Sequence, residues 1–150
     1  MADDDRIEKQ IRLRATRSRV WRALTDSGEF GLWFGVKMEG PFSPGATVRG
    51  KITHRGYEDR TMEIFIDRIE PEHYFSYRWH PFAVDPAVDY SKEPTTLVEF
   101  RLRDEAGGTL LTVVESGFDK VPAQRRAEAF RMNSHGWEAQ MANIARHVAG

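Results

Sequence analysis

The end of the chain constrains the fold most. Phe130, Ser134, Trp137, Met141, Ile144 and Val148 recur at spacings of three and four, the single stripe of a long amphipathic helix. Pro122 suits the first helical position. Gly136 interrupts the helix at about 1 kcal/mol relative to Ala, which predicts either a close backbone approach to a strand or ligand, or a kink there. From Val36 up to this helix the pattern is one of strands and turns. A helix with one apolar face that follows a run of strands must lie on a sheet, which makes the chain α+β.

The strands are read from alternation. Ile7 to Arg14 places Ile7, Ile11 and Leu13 on one face. Thr16 or Ser18 can cap a helix carrying Val20, Trp21 and Leu24, and Asp26 or Ser27 a second one, Glu29 to Phe34. Strands are expected at Val36–Glu39, Thr47–His54, Arg60–Ile69, Tyr74–His80, Thr95–Arg103 and Thr109–Ser116. Turn residues separate them. In the strand from Tyr74, Phe75, Tyr77 and Trp79 share a face opposite Ser76 and Arg78. Residues 81–94, with Pro81, Pro86 and Pro94, show no periodicity and read either as a functional lid or as a passive insertion.

A length of 150 residues predicts one domain over 7–150 after a disordered tail over 1–6, in which Asp3 to Asp5 are a frayed start. The acidic N-terminus lacks a secretory pattern, and no window approaches the ~18 apolar residues of a membrane span. A cytoplasmic protein without membrane insertion is expected. A formal net charge of −1 does not suggest a nucleic-acid binder. With no cysteine, disulfides, Cys-ligated zinc and a thiol nucleophile are excluded.

The histidines 54, 73, 80, 135 and 147 form no metal-ligand pattern, so neither a metal nor a cofactor is expected. Arg12, Arg14, Arg17, Arg19 and Arg22 read as a solvated face laced with Glu rather than a phosphate site.

No catalytic signature is present. Glu115 is the one candidate. By parity it faces inward with Leu111 and Val113, and an inward carboxylate must be paired, hydrated or protonated. It is a polar anchor in a pocket, a general acid/base, or a strand-end residue reaching solvent. Asp119, Arg78, Arg125 and Arg126 are possible partners.

Three segments, "SRVWRALTDSGEFGLWFG" (18–35), "GTLLTVVESGFD" (108–119) and "GWEAQMANIARHV" (136–148), carry a family resemblance. The chain resembles the START-like (SRPBCC) superfamily with its helix-grip fold. Within it, the chain looks like a bacterial stand-alone relative of the C-terminal domain of the heat-shock protein 90 ATPase activator. The resemblance implies a curved antiparallel sheet around a long C-terminal helix, with a pocket between them. Carried over, Trp33 and Phe34 stand at the helical rim, Trp137 and Met141 on the closing helix, and Glu115 and Phe118 at the exit of the last strand. Parity adds Phe75, Tyr77, Trp79, Phe100, Leu111 and Val113 on the sheet side.

Seventeen aromatic rings (nine Phe, four Tyr, four Trp) supply such a lining. An empty pocket of about 300 Å³ would cost about 7 kcal/mol, so it should have an occupant. The expected function is binding of an apolar or aromatic small molecule. Two alternatives are a co-chaperone acting on a chaperone ATPase, and a cyclase- or hydrolase-type enzyme using Glu115. The chain is expected to be a monomer or a homodimer.

Overall fold

The computed structural model describes residues 6–83, 85 and 87–149. β1 (Arg6–Leu13) is followed by helices α1 (Arg17–Thr25) and α2 (Ser27–Phe34). Then come β2 (Val36–Met38), β3 (Thr47–Ile52), β4 (Thr61–Glu70), β5 (Tyr74–Trp79), β6 (Thr96–Glu105) and β7 (Gly108–Ser116). A short turn of tight helix, Phe118–Lys120, leads into α3 (Ala123–Ala149). The seven strands form one antiparallel sheet in the order β1-β7-β6-β5-β4-β3-β2. This is the helix-grip α+β arrangement that the sequence predicts.

The helical pair is set by its caps. Thr16 accepts a hydrogen bond from the Arg19 amide and starts α1. Asp26 ends α1 with its own N–H and starts α2 by accepting from the amides of Gly28 and Glu29. Gly35, at φ 93°, ends α2 in the left-handed conformation and turns the chain into β2. α2 runs so close to β2 that a Cβ at Gly31 would lie 2.1 Å from the Val36 carbonyl oxygen.

β1 pairs with β7 along its length, Arg6 opposite Ser116 and Ile7 opposite Glu115. The strand therefore begins inside the segment expected to be a tail. The rest of that segment, with Asp3 to Asp5, lies outside the described residues. The β6–β7 hairpin turns through Ala106 and Gly107, the latter at φ 84°.

α3 packs along β1 and meets α1 and α2, with Ala129, Trp137, Met141, Ile144 and Val148 buried. Its far end is fastened by Glu29, which binds Arg19 (2.7 Å), Arg22 (2.6 Å) and His147 (2.9 Å). The arginine face of the first helix is thus laced with acids, as expected. Arg12 also meets Glu105, and Arg17 meets Glu72 and Asp104.

The space between sheet and helices is filled by rings. Phe30, Phe75, Tyr77 and Phe100 are fully buried. Phe75 stacks on Phe100 (centroids 6.0 Å) and on Phe42 (5.8 Å), and Tyr77 tilts against Phe100 (6.1 Å). Of the sheet-side aromatics expected to line an internal pocket, Phe75, Tyr77 and Phe100 occupy that space themselves. They gain dispersion and burial from one another.

The described residues between β5 and β6 form turns that are tied down; Pro86 is not among them. Arg125, in the first turns of α3, contacts Glu93 at 2.7 Å, donates to the Pro81 carbonyl at 2.7 Å and lies 4.8 Å over the Tyr90 ring.

Candidate functional site

Glu115 stands on the inner face of β7, in the row Ile66–Tyr77–Val98–Glu115–Ile7 that crosses five strands. It is fully buried, so it does not reach solvent from the strand end. Its partners come from three elements. Trp79, at the end of β5, donates its indole N–H to Oε2 at 2.8 Å. Thr96, at the start of β6 and directly opposite Trp79, donates its hydroxyl to Oε2 at 2.5 Å. α3 supplies Trp137, whose indole N–H donates to Oε1 at 2.8 Å, and Asn133 one turn earlier. The Asn133 amide donates to both oxygens, at 3.0 and 3.1 Å.

The expected partners Arg78, Asp119, Arg125 and Arg126 are not in this set. Arg125 and Arg126 bond elsewhere, Arg125 to Glu93 and Arg126 to the Val121 carbonyl. The carboxylate is satisfied by neutral donors instead.

Two opposed effects act on its proton affinity. Burial raises the pKa above the ordinary carboxylate value, and the hydrogen bonds from Thr96, Trp79, Trp137 and Asn133 lower it, with burial prevailing. The donor set is nonetheless built for the ionised form. Both indoles and the amide nitrogen can only donate, and five hydrogen bonds fill the roughly four lone-pair sites of a carboxylate. Such an oxygen pair has no lone pair left for a substrate proton. The geometry suits holding and orienting neighbours better than acid/base work.

Tyr77 lies beside this network. Its hydroxyl is buried without a hydrogen-bond partner, and burial, with the Glu115 charge added, pushes the phenol well above its ordinary value.

The two indoles tied to Glu115 open onto a recess of about 180 Å³ lined by Phe34, Trp79, Asn133, Gly136, Trp137 and Gln140. Phe34, Trp79 and Trp137 form a triangle of rings with centroids 5.7 to 6.1 Å apart. Gln140 donates to the Phe34 carbonyl at 2.8 Å, which closes one side against the end of α2. A Cβ at Gly136 would meet nothing within 4 Å. Gly136 therefore packs against no strand, and it leaves the wall of the recess low.

Of the residues expected to line a pocket, Phe34, Trp79 and Trp137 line this recess, and Glu115 stands behind them. Phe75, Tyr77, Phe100, Leu111, Val113 and Phe118 are fully buried core. Trp33 is buried, its indole N–H donating to the Ala23 carbonyl at 2.7 Å, and Met141 is one of the buried residues of α3. None of the described residues of the 81–94 segment lines the recess.

Asn133 and Gln140 were not anticipated. They lie four residues before and three after Trp137, so helical spacing places them beside it, although as polar residues they are not part of the apolar stripe. Thr96 could be found only through the β5–β6 register. Among the described residues no group of His, Cys, Asp and Glu is arranged to hold a metal ion.

The sequence matches the family described as "Activator of Hsp90 ATPase homolog 1-like protein" over residues 14–149. Among solved structures, the chain is similar to DynU16, a putative protein in the dynemicin biosynthetic locus, at 25% identity and a TM-score of 0.73. That match covers 97% of this chain and 47% of DynU16, so the chain spans about half the length of that relative. It is also similar to protein MLL2253 from Mesorhizobium loti (20% identity, TM-score 0.75, 96% of each chain). The Aha1 dimer from Colwellia psychrerythraea matches at 13% identity and a TM-score of 0.72, over 95% of each chain. These last two likenesses show the fold. No curated protein matches the sequence.

Proposed function

The chain belongs to the Activator of Hsp90 ATPase homolog 1-like family, and from that premise we propose that it binds a small apolar or aromatic molecule in the recess walled by Phe34, Trp79 and Trp137. One observation carries the reading. A buried carboxylate holds the indoles of two different elements by their N–H groups, and both tryptophans line the same recess. Burying an ionised carboxylate is costly even when it is hydrogen-bonded. An apolar residue at position 115 would pack the sheet without that cost. Glu115 is better explained as the part that fixes the walls of a binding site.

The size sets the occupant. A dry apolar cavity of about 150 Å³ accommodates benzene, so about 180 Å³ holds one ring or a compact branched group. A larger ligand would seat that part and leave the rest over Gly136. Burial of roughly 100 Å² of apolar surface is worth about 2.5 kcal/mol. A one-ring fragment should thus bind weakly, and a natural ligand should use the rim as well.

The test is extraction of gently purified protein with solvent, alongside native mass spectrometry. A retained small molecule is expected in the wild type, and its loss in Gly136→Leu, which fills the recess from an exposed helical position. A molecule retained equally by both proteins would place binding elsewhere and reject the site. Absence of any retained or added ligand would reject the function.

A further inference from the structure

The charge behind the recess bears on which ligands it can take. Glu115 is fully buried, and all its hydrogen-bond partners are neutral: two indoles, a hydroxyl and an amide. Among the described residues no Lys, Arg or His lies within ion-pair distance of it. None of the six residues lining the recess is basic either. Among the described residues, then, no basic side chain pairs with this carboxylate and none lines the recess walled by its indole partners, in surroundings of low dielectric.

The indoles pass the field of this carboxylate on. An N–H that donates to an anion pushes electron density into its ring, which makes the ring face a better acceptor for a cation. Trp79 and Trp137 are both polarised in this way by one carboxylate, and both line the recess beside Phe34. An anionic ligand would find no basic lining residue there and would lie across the two indoles from the Glu115 charge. A neutral apolar ligand would gain the contact area and nothing from the field. A cation with an apolar surface would gain both.

We infer that the recess selects a compact organic cation, a quaternary or tertiary ammonium whose alkyl groups lie on Phe34, Trp79 and Trp137 and whose charge is balanced by Glu115. This rests on the ligand-binding reading of the same recess. It narrows the ligand class, since an alkylated ammonium has an apolar shape together with a charge.

The experiment compares phenyltrimethylammonium with tert-butylbenzene, its neutral counterpart of the same shape. Each is titrated at matched ionic strength into protein with labelled indole nitrogens. The expected result is saturable shifts of the Trp79 and Trp137 indole N–H signals, with the cation bound about tenfold or more tightly than the neutral probe. Glu115→Gln, checked for folding by its indole spectrum, should bring the two affinities together. If the neutral probe binds equally well or better, the cation inference is overturned and the recess remains a binding site. If neither probe moves those two signals, both readings are overturned. The wild-type comparison decides the matter even if Glu115→Gln does not fold.

Discussion

At the residue scale, Glu115 joins β5, β6, β7 and α3 through a single carboxylate with five hydrogen bonds. Parity alone turned this residue inward, and that much was legible in the sequence. Its partners were not, because a carboxylate suggests a cation and the fold supplied indoles. Glu115→Ala would leave two indoles, a hydroxyl and an amide unpaired in the interior. It should lower stability by about 3 kcal/mol or more on urea unfolding. Glu115→Gln should cost less, since one oxygen still accepts. Tyr77→Phe should behave in the opposite sense. Its hydroxyl is buried without a partner, so removing it should leave stability within about 1 kcal/mol of wild type or raise it. A loss well beyond that in the same urea titration would show that the hydroxyl is bonded in solution.

At the scale of elements, caps and alternation carried most of the reading. Thr16 and Asp26 start the two helices as expected, and Phe75, Tyr77 and Trp79 share the inner face of β5. Depth was harder to read. Alternation gives the direction of a side chain but not whether it meets a neighbour or a void, so core rings and lining rings looked alike. Gly136 is the informative case. Nothing crowds it, and an exposed mid-helix glycine costs about 1 kcal/mol relative to alanine. Gly136→Ala should therefore raise stability by about 1 kcal/mol in thermal or urea unfolding. It should also weaken ligand binding, because a methyl group begins to close the recess. A change in stability with no change in affinity would separate this glycine from the site.

At the scale of the whole molecule, α3 is held at both ends, by Arg125 near its start and by His147 near its finish. Glu29 is the hub of the second attachment. Burial raises its pKa, but the hydrogen bonds from His147, Arg19 and Arg22 outweigh this and hold it at about 2, below the ordinary 4.5. A carboxyl lowered on folding stabilises the protein above its unfolded pKa. That contribution should be complete above pH 4.5 and fade as the pH falls towards 2. Urea midpoints measured across this window should fall less in Glu29→Gln than in the wild type.

The order of elements, and with it the fold, was legible because each has its own period and punctuation. The place of the recess at the rim, rather than deep between sheet and helix, was not, because it depends on how seventeen rings pack. The most direct test of the account is the indole spectrum of the four tryptophans during titration with a one-ring ligand such as phenyltrimethylammonium. Saturable shifts of Trp79 and Trp137, with Trp21 and Trp33 unmoved, are predicted. Unchanged signals, or equal movement of all four, would contradict it.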